Sequence, residues 1–164
     1  MREWYQQLTN EHPEVNMASG RNTTDAIYRQ QVRLCKGAGA DDVGKSVEVN
    51  WDLSKAFDHV GRRGLVTAAK KLGYPVLLLL NSLHSYGWSR RFVLNKELSS
   101  VIKSHRGVAA GSPFAPYELM VAIFGIVSIV RSWETPGVGH SLSVHVDDIA
   151  LVAWGNCGAT VIGA

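Results

Sequence analysis

The sequence predicts an α+β fold, antiparallel strands covered by helices on one face, from three observations. Over Ser46–Asp52 apolar and polar residues alternate, with Val47, Val49 and Trp51 on one side and Glu48, Asn50 and Asp52 on the other. The same period of two returns at Leu142, Val144 and Val146, and an apolar run from Ile149 to Trp154 follows an acidic pair, the pattern of a hairpin. The stretches between carry apolar residues at helical spacing, with no repeat or low-complexity tract.

Composition sets the bounds. The 164 residues suit one ordinary domain, and 46% hydrophobic against 19% charged residues excludes disorder, collagen and coiled coil. The longest apolar stretch, Leu119 to Val130, is 12 residues, shorter than the roughly 20 of a membrane span. The first seven residues lack the apolar core of a secretory signal. Cys35 and Cys157 stand far apart without a partner motif, against both a disulfide framework and a zinc ribbon. A soluble intracellular domain without a membrane partner is expected.

The elements follow in order. The first twenty residues are polar and end in Ala18-Ser19-Gly20, a loop by composition. Thr23, Thr24 and Asp25 offer N-cap chemistry to a helix that Gly37 and Gly39 stop. After the strand ending at Asp52, Arg62–Leu72 reads as a helix with Leu65, Val66, Ala69 and Leu72 inward, closed by Gly73. Pro75 starts another through Leu83, with Leu77, Leu80 and Leu83 or His84 inward. Phe92-Val93-Leu94 and Val101-Ile102 read as paired strands around Asn95-Lys96, and Pro113 and Pro116 open a long apolar helix to about Trp133.

Charge is unevenly placed. Between Val60 and Arg106 lie nine basic residues and one acid, Glu97, a distribution that suits a polyanion track beside an acidic site as well as solvated helix faces. Gly39–Ser46 satisfies the phosphate-loop pattern G-x-x-x-x-G-K-[ST]. That mechanism needs a strand before the loop and a helix after it. Here a helix precedes and a strand follows, and Asp41 and Asp42 oppose a polyphosphate, so a nucleotide hydrolase is only a runner-up.

Asp52, Asp147 and Asp148 form the second constellation. Each strand pattern delivers a carboxylate to its polar face at its end, and on neighbouring strands Asp52 and Asp147 converge. Converging carboxylates repel unless a cation separates them. Hard oxygen ligands favour magnesium or manganese, and two such ions suit in-line phosphoryl transfer.

Four segments then resemble a family. Asp52-Leu53-Ser54-Lys55-Ala56-Phe57-Asp58-His59-Val60 resembles motif A of reverse transcriptases, of the non-LTR retrotransposon type. Arg106–Pro116 is similar to motif B, Val144–Leu151 to the Y-A-D-D box of motif C, and Gly20–Ile27 to the G-R-S-T-T-D-A-I segment ahead of motif A. The resemblance covers about residues 20 to 154 in the family's order. It implies a polymerase palm with part of the fingers in 20–164, after a polar segment 1–19, and the activity of an RNA-directed DNA polymerase, a nucleotidyltransferase. RNA template, DNA primer and deoxynucleoside triphosphate would be its partners, and two Mg²⁺ or Mn²⁺ ions its cofactors.

Carried over residue by residue, the resemblance implies metal binding by Asp52, Asp147 and the carbonyl of Leu53. Asp148 becomes the second acid of the box. Phe57 falls at the aromatic gate against a ribose 2′-hydroxyl. Ala110, Gly111, Ser112 and Pro113 would lie near the incoming nucleotide, and Lys55, Arg90, Arg91 and Arg106 near the nucleic-acid backbone. The chain departs from the family where Ala110 replaces Gln and where His145 and Val146 replace Tyr and Ala. No segment resembles the triphosphate-clamping fingers strands or the thumb, so a partial domain is expected. Its alternative is a non-catalytic nucleic-acid-binding relic of a retroelement.

Overall fold

The alternating runs become one antiparallel sheet. The computed structural model describes residues 1–16, 23–37, 46–134, 136 and 138–155. The chain runs α1 (Arg2–Glu11), α2 (Thr23–Gly37), β1 (Ser46–Asp52), α3 (Ala56–His59), α4 (Arg62–Lys71), α5 (Val76–Tyr86), β2 (Val93–Leu94), β3 (Glu97–Leu98), α6 (Ala115–Arg131), β4 (Val138–His145) and β5 (Asp148–Gly155). This is the α+β class expected. No helix among the described residues is long and apolar enough to cross a membrane. Two compact units emerge, Lys55–Ile123 (with Met1) and Arg2–Ser54 with Phe124–Ala164.

The second unit holds the sheet, in order β1-β5-β4, all antiparallel. Alternation puts Leu142, Val144, Ile149 and Leu151 on one face, where all four are buried. The other face carries Glu48, Asn50, Asp52, Ser143, His145 and Asp148. The α2 helix packs against β4 and β5, and the Gln30 amide donates to the Glu48 carboxylate. β1 lies at the sheet's edge, so Val49 and Trp51, expected inward, are exposed at 39% and 46%.

Residues 2–11 correct the expected loop. Their polar composition hides Tyr5 and Leu8, three apart and buried on one helical face with Thr9. Beyond α1, Val15 bridges Val144 in parallel; Asn16 N–H donates to the Val144 carbonyl at 2.7 Å, and Val144 N–H to that of Glu14 at 2.9 Å. The Arg131 guanidinium, at the end of α6, donates to the Glu11 carbonyl at 3.0 Å and pairs with Glu14 at 3.6 Å.

The first unit packs Leu65, Ala69, Tyr74, Leu79, Tyr86, Leu119, Met120 and Val121 into its core. In α5 the buried face is Leu79, Ser82 and Tyr86, whereas Leu77 and Leu80 are exposed. Val76–Leu80 is apolar on every side of the helix, so periodicity could not choose the face. The hairpin is shorter than expected: Val93 pairs with Leu98 and Leu94 with Glu97, and Ile102 is reached only through a single bridge to Arg90. Asn95 and Lys96 adopt left-handed φ of 50° and 67° and close a two-residue turn, which fixes Glu97 rather than Val101 as the returning residue.

Arg62 joins the parts of this unit. Its guanidinium donates to the carbonyls of Gly107 at 2.9 Å, Ser104 at 2.9 Å, Tyr86 at 3.1 Å and Arg106 at 3.3 Å, and to the Ser104 hydroxyl at 3.2 Å. One cation of the basic segment is therefore an internal clamp, not part of a polyanion track. Val108 N–H donates to the Phe57 carbonyl and Gly107 N–H to that of Val60. At Gly107, φ is +82° and a Cβ would lie 2.9 Å from the Asp58 carbonyl oxygen, so a side chain has no place there.

Glu118, in the first turn of α6, is fully buried and accepts the Tyr86 hydroxyl at 2.8 Å. Burial holds its carboxyl above the ordinary value, against hydrogen bonds from Ser82 and Tyr86 that favour the charged form. Burial likewise pushes the Tyr74 and Tyr86 hydroxyls up.

Two predictions follow from these contacts. Arg62→Lys keeps the charge but not the planar fork, and is expected to cost about 2–3 kcal/mol in a denaturant titration. For Glu118 the folded protein holds the proton more tightly than the unfolded chain. Stability is therefore fully present below the ordinary value of 4.5 and is lost as pH rises through the folded-state value. Glu118→Gln keeps an acceptor for Tyr86 and removes this titration, so its Tm should hold level upward from that pH while the parent's falls.

Candidate active site

The acids are brought together by register. β1 ends on Asp52 directly opposite Asp148, the first residue of β5, and His145 at the end of β4 faces Asp148 from the other side. Asp52, Asp148 and His145 thus form a row across three strands on one face, with Cβ atoms of adjacent members about 4.5–5.5 Å apart in such pairs. Asp147 sits beside the row in the β4–β5 turn. Its carbonyl accepts the Leu53 N–H at 3.1 Å, which ties the residue after Asp52 to the turn.

That turn has a local cost. A two-residue hairpin connection needs left-handed backbone, usually supplied by Gly or Asn. Here Val146 takes φ of +57°, a region unfavourable to a β-branched side chain by roughly 1–2 kcal/mol. The alternation Leu142, Val144, Val146 had put Val146 on the inward face; the turn removes it from the strand.

His145 is oriented from behind. Its Nδ1 lies 2.8 Å from the Asn16 carbonyl, and because a carbonyl only accepts, Nδ1 carries the hydrogen. Asn16 is fully buried and donates its amide to the Ser143 hydroxyl at 3.2 Å. The segment that props β4 was not legible as part of the site, since residues 14–16 carry no motif.

A cavity of about 320 Å³ opens over this row, lined by Ile27 and Gln30 from α2 and by Asn50, Asp52, His145 and Asp148 from the sheet. Asp52 and Asp148 are exposed and Asp147 is half-buried. Asp52 and Asp148, opposed across the sheet, are hard oxygen donors that repel one another, and a divalent cation between them would remove that repulsion. Among the described residues no group of three or more acids, histidines or cysteines stands close enough together to hold a metal ion.

The other expected residues lie in the first unit. Lys55 is exposed, with φ of 52°, and precedes α3, whose turn its carbonyl closes by accepting from Asp58 and His59. Phe57 is half-buried in α3. Ala110 and Gly111 form an exposed turn, with φ of +92° at Gly111, closed by Ser112 N–H donating to the Ala109 carbonyl. Pro113 is exposed, and the Ser112 hydroxyl accepts the Phe114 N–H at 3.3 Å. Arg90, Arg91 and Arg106 are all exposed. The phosphate-loop residues Gly39–Lys45 lie outside the described residues, and Ser46 opens β1.

No protein-family model matches the chain, and no curated protein matches it. Among solved structures, apo telomerase from Candida tropicalis, truncated from its C-terminal domain, superposes with a TM-score of 0.66 at 12% identity, over 98% of this chain and 34% of that one. The chain therefore shares its fold with a part of that telomerase and spans about a third of the length of that structure. This agrees with the fold implied by the motif resemblance; the non-LTR subtype is a finer distinction than a shared fold carries.

Strain at the turn gives a direct test. Val146→Asn places a residue tolerant of left-handed backbone at the same position, and is expected to stabilise the protein by about 1 kcal/mol, read as a raised denaturation midpoint.

Proposed function

We propose that this chain is the palm of an RNA-directed DNA polymerase, transferring deoxynucleotides to a primer on an RNA template. The observation that carries the reading is the pairing of Asp52 with Asp148 at an accessible cavity, with Asp147 in the adjoining turn, on a fold shared with part of a telomerase. Asp52 and Asp147, with the Leu53 carbonyl, are the proposed ligands of two Mg²⁺ or Mn²⁺ ions, and Asp148 stands opposite Asp52. When bound, the ions would supply charge neutralisation for phosphoryl transfer.

The reaction joins the primer 3′-hydroxyl oxygen to the α-phosphorus of the triphosphate, breaks the α–β bridge and releases pyrophosphate. The chain's own part is positioning. The Leu53–Asp147 hydrogen bond holds the two acid-bearing segments together, and the Asn16 tie holds His145 at the end of the row. Gly111, Ser112 and Pro113 form the proposed floor under the incoming nucleotide, with Ala110 offering no side-chain polar group to it. Phe57 is the proposed gate against the ribose 2′-hydroxyl, and Lys55, Arg90, Arg91 and Arg106 the backbone contacts.

Primer extension on an RNA template in magnesium or manganese tests the reading. Asp52→Asn and Asp147→Asn are each expected to lower incorporation by at least about 10²-fold, and Phe57→Val to raise ribonucleotide incorporation relative to deoxynucleotide. Incorporation that survives Asp147→Asn overturns the site. A parent protein that binds oligonucleotides in a salt-sensitive way but extends nothing, with or without metal, is instead a nucleic-acid-binding relic.

A further inference from the structure

The β2–β3 hairpin exposes more apolar surface than a two-stranded element can keep in water without a use. Trp88, Phe92, Val93, Leu94 and Leu98 all stand out, with Trp88 at 60%, Phe92 at 70% and Leu94 at 75% exposure. Cations surround them: Arg90, Arg91, Lys96 and Lys103 are exposed, and Glu97 is the one acid between Trp88 and Arg106.

The ring of Trp88 and the backbone of Phe92 are both held. Trp88 meets the His84 ring edge-on, with centroids 6.1 Å apart and planes at 87°. Phe92 exchanges hydrogen bonds with Ser99, its N–H donating to the Ser99 hydroxyl and its carbonyl accepting the Ser99 N–H, both at 2.9 Å. The left-handed pair Asn95-Lys96 then sets Lys96 at the tip. An occupant of this surface needs a negative backbone and flat apolar groups spaced along it.

We propose that the hairpin is a stacking platform for single-stranded nucleic acid, a proposal that rests on the polymerase reading. Unpaired bases stack on Trp88 and Phe92 while phosphates meet Arg90, Arg91, Lys96 and Lys103. Duplex hides its base faces and has less to offer the rings. An anionic lipid surface shares the charge but not the planar groups, and the interleaving of rings with arginines in Trp88-Ser89-Arg90-Arg91-Phe92 favours bases.

Fluorescence anisotropy with a labelled single-stranded oligonucleotide tests this on the full chain. Phe92→Ala and Trp88→Ala are each expected to weaken binding about 5- to 150-fold, the effect of losing one stacked base. Phe92→Tyr keeps the ring and the affinity. Arg91→Ala should weaken all sequences alike and flatten the salt dependence by about one ion. Because these side chains are exposed, circular dichroism of the variants should match the parent.

Binding unchanged in both alanine variants overturns the proposal. So does preference for duplex, or binding to phosphatidylserine vesicles that competes with the oligonucleotide and depends on Phe92. Manganese titration against Asp147→Asn reads the acidic site separately. If the parent binds manganese through that residue while the hairpin variants lose nothing, the hairpin proposal falls and the polymerase reading stands. If manganese binding is indifferent to Asp147, the polymerase reading fails on its own account, whatever the hairpin does.

Discussion

Seven residue pairs, from Ser46 with Trp154 to Asp52 with Asp148, set β1 against β5, and the side-chain period of two leaves that register no slack. A slip of one residue would carry Trp51 and Val49 onto the acidic face and turn Asp52 toward the core side. β5 meets the constraint twice, because Leu142 and Val144 on β4 must share a buried face with Ile149 and Leu151 at the same time. The Leu53–Asp147 hydrogen bond closes the open end of this ladder. The juxtaposition of carboxylates, unfavourable by itself, is held by the apolar packing on the opposite face of the same strands.

Charge is used in two different ways along the chain. Arg62 spends its donors on carbonyls and a hydroxyl of its own unit, where a planar fork can satisfy several oxygens that no helix or strand supplies. Glu118 is buried with a tyrosine partner, so its protonation belongs to the stability of the unit rather than to surface chemistry. Arg90, Arg91 and Arg106 are exposed instead. Counting basic residues in a sequence segment merges these cases; which carbonyls lie within reach of a guanidinium is a property of the folded unit.

Much of the sheet was legible because alternation is a local signal: β1 ends at Asp52 as its pattern had it, but the register sets Asp148 opposite Asp52 and leaves Asp147, the expected partner, in the turn. The inward face of α5 was not, since a run of leucines has no polar side to orient it. The first helix was missed because Tyr5 and Leu8 are few against a polar background, yet they are buried with Thr9 on its inner face. At the site, motif spacing pointed to Asp52, Asp147 and Asp148, but neither the left-handed Val146 nor the Asn16 prop has a sequence signature. Both arise from closing the β4–β5 turn beside a segment far away in the chain.

The order of synthesis gives the β1–β5 pairing a further meaning. The strand ending in Asp52 is complete about a hundred residues before its partner exists, a separation at which chain closure is slow to repay its entropy. Through that interval β1 has no β5 to cover its hydrogen-bonding edge, and even in the finished sheet Val49 and Trp51 remain open to solvent. A strand with one apolar face left waiting in this way is a template for pairing with another copy. On a ribosome, the carboxylate-bearing strand is thus also a part of the nascent chain that depends on timely completion of the rest.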